Sequence, residues 1–124
     1  MGKKRIAILE DDVEFRKLLT KIFQKEGFEV MSAGAGIDIV NDIVKNKPDL
    51  IILDLALPYL SGDVVIDAFH KKDVATGVPV IIVSGKEEKE IEEAVKKIGA
   101  VAYMKKPVKD INKLIELVKK HIKK

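Results

Sequence analysis

Leu50-Ile51-Ile52-Leu53-Asp54 is an apolar run that stops at a carboxylate, and Ile6-Ala7-Ile8-Leu9 stops in the same way at Glu10-Asp11-Asp12. Such short, near-continuous apolar runs suit parallel strands buried on both faces. If the two runs are neighbouring strands, their acids meet at one edge of one sheet. Like charges gathered there repel, and become tolerable with a bound cation, a buried lysine or raised pKa values.

The rest of the chain repeats the alternation. Further runs are Phe28-Glu29-Val30-Met31, which is weaker, then Val80-Ile81-Ile82-Val83 and Val101-Ala102-Tyr103-Met104. Between them lie stripes with helical spacing. The first is Leu18, Leu19, Ile22 and Phe23, with Gly27 as a stop signal. Val40, Ile43 and Val44 make the second, and Val64, Val65, Ala68 and Phe69 the third. Ile91, Ala94, Val95 and Ile98 make the fourth, closed by Gly99, and Ile111, Leu114, Ile115 and Val118 the fifth. Five strand–helix units predict an α/β fold with right-handed crossovers. Five are too few for an eight-stranded barrel. The expected architecture is an open, doubly wound, five-stranded parallel sheet in the order 2-1-3-4-5, a three-layer flavodoxin-like sandwich with five helices. In that order the first and third strands meet at the switch point, where ligands bind beyond the carboxyl ends. Glu10, Asp11 and Asp54 occupy those ends.

Composition narrows the classes. At 124 residues and 47% apolar content the chain suits one domain, residues 1–124, with a real core. Cysteine is absent, which excludes disulfides and thiolate metal sites. No apolar run approaches the roughly 20 residues of a membrane span. Met1-Gly2-Lys3-Lys4-Arg5 is not a signal peptide, and Ile6 breaks the myristoylation pattern. A cytoplasmic protein is expected. The net charge of +3 comes mostly from the lysine-rich last third. A basic patch can bind nucleic acid, but a solvated surface is the simpler reading, with aromatic residues at only 5% for stacking.

Several residues could carry chemistry. Asp11 and Asp54 offer hard oxygen ligands suited to Mg²⁺, with Glu10 assisting through a water. The competing reading is capping, since Asp11-Asp12-Val13-Glu14 has an acid three residues before Glu14. Ser84 falls at the same edge, although Ser84-Gly85-Lys86-Glu87 also reads as a capping box. One of Lys105 and Lys106 would aim an ammonium at the acids, and alternation does not settle which. Pro107 could follow a cis peptide bond. Gly34-Ala35-Gly36 is only a partial dinucleotide fingerprint, because Ile39 replaces the third glycine. His70 and His121 stand alone.

Together these residues resemble a receiver domain of a two-component response regulator, single-domain and chemotaxis-regulator-like, over Arg5 to about Lys120. Ile6 to Asp12 resembles the family's first strand and acidic pair, Glu10 and Asp11. Leu50 to Gly62 resembles the phosphoacceptor strand, proline turn and helix-opening glycine. Ser84 stands where the family keeps Ser or Thr, and Lys106-Pro107 where it keeps Lys-Pro.

The resemblance implies transfer of a phosphoryl group from a histidine kinase or histidine phosphotransfer protein to Asp54. Mg²⁺ would sit on Glu10, Asp11, Asp54 and the Ala56 carbonyl. Lys106 and Ser84 would hold the phosphoryl oxygens, and a cis bond would precede Pro107. Ser84 and Tyr103 would switch the surface made by the fourth helix, fifth strand and fifth helix for a downstream protein, with the chain a monomer or weak dimer through that face. It implies a signalling domain that catalyses only its own phosphorylation and dephosphorylation. No output domain is expected within residues 1–124, whether the chain is a stand-alone regulator or a receiver cut from a longer protein. Ala56 leaves water little obstructed while Lys86 could pair with the phosphate, so the two pull the phosphoryl lifetime in opposite directions. The alternatives are a pseudo-receiver, against which the intact set Asp11, Asp54, Ser84 and Lys106 argues, and a flavin carrier, against which the acids after the first strand argue.

Overall fold

The structure is a computed structural model that describes residues 2–33, 45–56 and 77–122. Five strands, β1 (Arg5–Leu9), β2 (Glu29–Ala33), β3 (Leu50–Leu53), β4 (Val80–Ser84) and β5 (Ala102–Lys105), form one sheet in the order β2-β1-β3-β4-β5. Every pair in it is parallel. The doubly wound order expected from the alternation is therefore present. The described helices are Val13–Lys25, Glu88–Ile98 and Ile111–His121. The second and third amphipathic stripes, Gly34-Ala35-Gly36, Gly62 and His70 lie outside the described residues.

Burial follows the period of two within each strand. Ile6 and Ile8 of β1, with Leu50 and Ile52 of β3, pack under Leu19 and Phe23 of the first helix and Leu114 and Val118 of the last. Ala7 and Leu9, with Ile51 and Leu53, pack on the other face under Ile91 and Ala94. Among the described helices, two thus cover one face and the Glu88–Ile98 helix packs on the other. Phe23, Leu19 and Leu114 are at most 1% exposed. Each such side chain contributes roughly 1.5–3 kcal/mol relative to the exposed state.

Element ends follow local chemistry. The first helix is followed by Gly27 at φ 95, and the Glu88–Ile98 helix ends on Gly99 at φ 79, a left-handed backbone that disfavours a Cβ. β2 begins later than the Phe28–Met31 pattern suggests, because Phe28 stays outside the ladder and meets Phe23 edge to face at 6.1 Å. β5 begins at Ala102, one residue later than the run; Val101 is exposed, although its N–H still donates to the Val80 carbonyl at 2.9 Å.

Register then places the acids. Leu9 pairs with Leu53, and the ladder runs one bond further, from the Asp54 N–H to the Leu9 carbonyl at 2.9 Å. Ser84 pairs with Lys105, and the Lys106 N–H continues that ladder to the Ser84 carbonyl at 2.9 Å. Glu10, Asp54, Ser84 and Lys106 therefore all lie at the carboxyl edge of the sheet.

Candidate functional site

A strand that ends inside the core also buries the residue just after it. Glu10 is 2% exposed and Asp54 is 4% exposed. Lys106 reaches both, with Nζ 2.6 Å from Glu10 Oε1 and 2.9 Å from Asp54 Oδ2. The other carboxylate oxygens take backbone donors. Glu10 Oε2 accepts from the Asp12 N–H at 2.9 Å, and Asp54 Oδ1 accepts from the Ala56 N–H at 3.0 Å. Arg16 Nη1 donates to the Glu10 carbonyl at 2.9 Å.

Burial pushes the Glu10 carboxyl above the usual carboxylate range, against the lowering bonds from Lys106 and Asp12. Burial alone would lower the Lys106 ammonium. Its hydrogen bonds to Glu10 and Asp54, with their charges, outweigh that and hold it above the ordinary lysine value.

The capping alternatives resolve differently from their sequence patterns. Asp12, not Asp11, caps the first helix, accepting from the Phe15 N–H at 3.1 Å. Asp11 is exposed, and no bond or ion pair to it occurs among the described residues. Ser84 does not cap the next helix. Its fully buried hydroxyl accepts from the Lys86 N–H at 3.2 Å, and Glu87 stands at the cap without a side-chain bond. The helix begins too late for the box spacing that starts at Ser84.

Lys106, and not Lys105, turns toward the acids. Lys105 is exposed and its Nζ donates to the Lys86 carbonyl at 2.7 Å. The Lys106–Pro107 peptide bond is cis. The Tyr103 hydroxyl lies 3.0 Å from Glu88 Oε1 and 3.4 Å from Glu92 Oε1. The bond to Glu88 is the main reason its pKa is raised. Ala56 is exposed beside Asp54. His121 closes the last helix, in its basic final turn.

Two neighbours escaped the sequence reading. The Phe15 ring stands 5.2 Å from Lys106 Nζ, and Arg16 ties the first helix to Glu10. A cavity of about 450 Å³ beside them is lined by Asp12, Phe15, Leu18, Lys106, Pro107 and Val108. The available signal was the helix start: a cap at Asp12 places Phe15 and Arg16 in the first turn, next to the strand ends.

The donor set suits a hard divalent cation. Among the described residues no three acids or histidines form a ready ligand cluster. Mg²⁺ does not need one, since it keeps several waters and takes one or two carboxylates. Two buried carboxylates share one ammonium here, which leaves excess negative charge at the edge.

A doubly wound sheet with buried acids and one lysine at its switch point defines a module built to handle a charged group there. Comparison with known proteins makes the class specific. The model of the response regulator receiver domain matches residues 6–119. The chain is 30% identical over 122 residues to sporulation initiation phosphotransferase F of Bacillus subtilis (strain 168), covering 98% of this chain and 96% of that protein. It is 32% identical to the regulator of RpoS of Escherichia coli (strain K12), covering 93% of this chain but 34% of that longer protein. Among solved structures, response regulator protein TrrA from Thermotoga maritima, in complex with Mg²⁺-BeF, superposes with a TM-score of 0.80 at 28% identity, covering 96% of this chain and 99% of that one. The chain belongs to the response regulator receiver domain family, the phosphoacceptor modules of two-component signalling. Among the described residues no helix is long and apolar enough to cross a membrane.

Proposed function

We propose that Asp54 accepts a phosphoryl group from the phosphohistidine of a sensor histidine kinase or histidine phosphotransfer protein. The observation that carries this is the Lys106 ammonium 2.9 Å from a buried Asp54 carboxylate at the switch point. An Asp54 oxygen attacks phosphorus. The phosphorus–nitrogen bond of the donor breaks, and its electron pair leaves on the imidazole. An ammonium has three N–H donors. Glu10 and Asp54 take two, leaving one for a phosphoryl oxygen. The Ser84 hydroxyl accepts from Lys86, so its own hydrogen can serve a second oxygen.

Glu10, Asp11, Asp54 and the Ala56 carbonyl would hold Mg²⁺, which when bound neutralises charge on the transferring group. Asp11 suits this role because capping falls to Asp12. The related Thermotoga maritima protein forms a complex with Mg²⁺-BeF, which supports the same ion here.

Phosphorylation would draw the Ser84 hydroxyl to the phosphoryl group and move Tyr103 away from Glu88 and Glu92. The surface built by the Glu88–Ile98 helix, β5 and the Ile111–His121 helix would then present a different face to a downstream protein.

Intact-mass measurement with Mg²⁺ and acetyl phosphate tests the acceptor. Wild type takes up one phosphoryl group and Asp54→Ala takes up none; equal uptake by both moves the acceptor elsewhere. Lys106→Ala slows uptake far more than Lys105→Ala, and matching rates for the two would remove Lys106 from the site.

A further inference from the structure

We infer that Phe15 is a positioning residue for Lys106: its ring face holds the ammonium over Glu10 and Asp54. The inference rests on the proposed role of Lys106 in phosphoryl transfer. The Nζ-to-centroid distance of 5.2 Å is within the range where an ammonium is attracted to an aromatic face.

The ring is anchored from two sides. Its backbone N–H is fixed by the Asp12 cap at 3.1 Å, and its side chain packs against the buried cluster that includes Leu19 and Leu114 on one face of the sheet. The contacts close on themselves. Lys106 bonds Glu10 Oε1, Glu10 Oε2 bonds the Asp12 N–H, Asp12 Oδ1 bonds the Phe15 N–H, and the Phe15 ring meets Lys106. The helix cap and the ammonium are therefore set by one circuit.

A lysine on a four-carbon stem loses much rotamer freedom when held in place. The side chain of Lys106 keeps 25% of its exposure and borders an open cavity, so it has somewhere else to go. The two carboxylates attract its charge. The ring adds a direction, because it lines the cavity into which the ammonium would otherwise swing.

The test is the initial rate of phosphorylation of the full chain by acetyl phosphate with Mg²⁺, read by intact mass. Phe15 is replaced in turn by mono-, di- and trifluorophenylalanine, by Leu and by Trp. Successive fluorines weaken the negative ring face at nearly constant shape, a change to which a purely structural role is blind. The expected result is a graded fall along the fluorine series, Phe15→Leu about fivefold slower than wild type, and Phe15→Trp close to wild type. A flat fluorine series, with Lys106→Ala still slow, overturns this inference alone. Lys106→Ala at the wild-type rate removes the lysine from the reaction and takes both readings with it.

Discussion

β1 carries an ion pair at each end, and the two ends are different environments. At the amino end, Arg5 meets Glu29 at 2.9 Å with side chains 34% and 54% exposed. Its backbone N–H takes Asp49 at 2.8 Å, and its guanidinium also reaches the Asn46 carbonyl. At the carboxyl end, Lys106 meets Glu10 and Asp54, whose side chains are 3% and 5% exposed. Water can replace the exposed partners of the Arg5 guanidinium, so that ion pair is nearly neutral in energy. Water cannot easily replace the partners of the buried carboxylates, so the carboxyl end is costly to disturb and sensitive to any new charge. A site meant to respond to a phosphoryl group belongs at the second kind of end.

The largest effect that can break this contrast is the stability of Lys106→Met beside Arg5→Met. Leaving two buried carboxylates without a cation should cost about 2 kcal/mol, below a full buried-pair break because the ammonium is a quarter exposed. Arg5→Met should cost less than about 1 kcal/mol. Urea denaturation measures both, and equal costs would erase the distinction. The pH dependence has a definite sign. The folded pKa of Lys106 lies above its ordinary 10.5, so its contribution is complete below that value. The gap between wild type and Lys106→Met should close as pH rises through the raised folded value.

A smaller effect sharpens the account of excess charge. Asp54→Asn removes one of two carboxylates facing a single ammonium. In metal-free buffer it should raise stability, because the charge of Asp54 no longer repels that of the buried Glu10. Adding Mg²⁺ should raise the melting midpoint of wild type and leave that of Asp54→Asn nearly unmoved. A destabilised Asp54→Asn without metal would show that the two carboxylates are balanced already.

Tyr103 is an intermediate case, half-buried with its hydroxyl on two surface acids. Glu88→Gln should lower its pKa toward the ordinary 10.0. An ultraviolet titration in a Tyr59→Phe background reads this, and an unmoved value would mean the bond is not populated in solution. Last and smallest, about 1 M salt should abolish the cost of Arg5→Met while most of the Lys106→Met cost persists.

Much of the frame was legible in the chain because it depends on short-range periodicity. Leu50–Leu53 is a strand with the bounds its apolar run suggests, and the stripe from Ile111 to Val118 is a helix. The errors came where two local signals competed. The capping pattern at Ser84 looked sound, yet a fully buried serine at a strand end cannot also cap a helix whose first residue is Glu88. Phe28 looked like a strand residue, but its ring packs on Phe23 instead.

By itself the sequence determined the alternation of runs and stripes, and the acids and lysines at the run ends, since period and adjacency are properties of neighbours in the chain. Alternation left Lys105 and Lys106 open and only the family resemblance favoured Lys106; tertiary structure brought Lys106 to Asp54, 52 residues away, made Asp12 rather than Asp11 the helix cap, and set the Phe15 ring beside the ammonium. Those outcomes depend on the register between strands and on how far the first helix reaches over the sheet edge, and both are set by packing between residues distant in sequence.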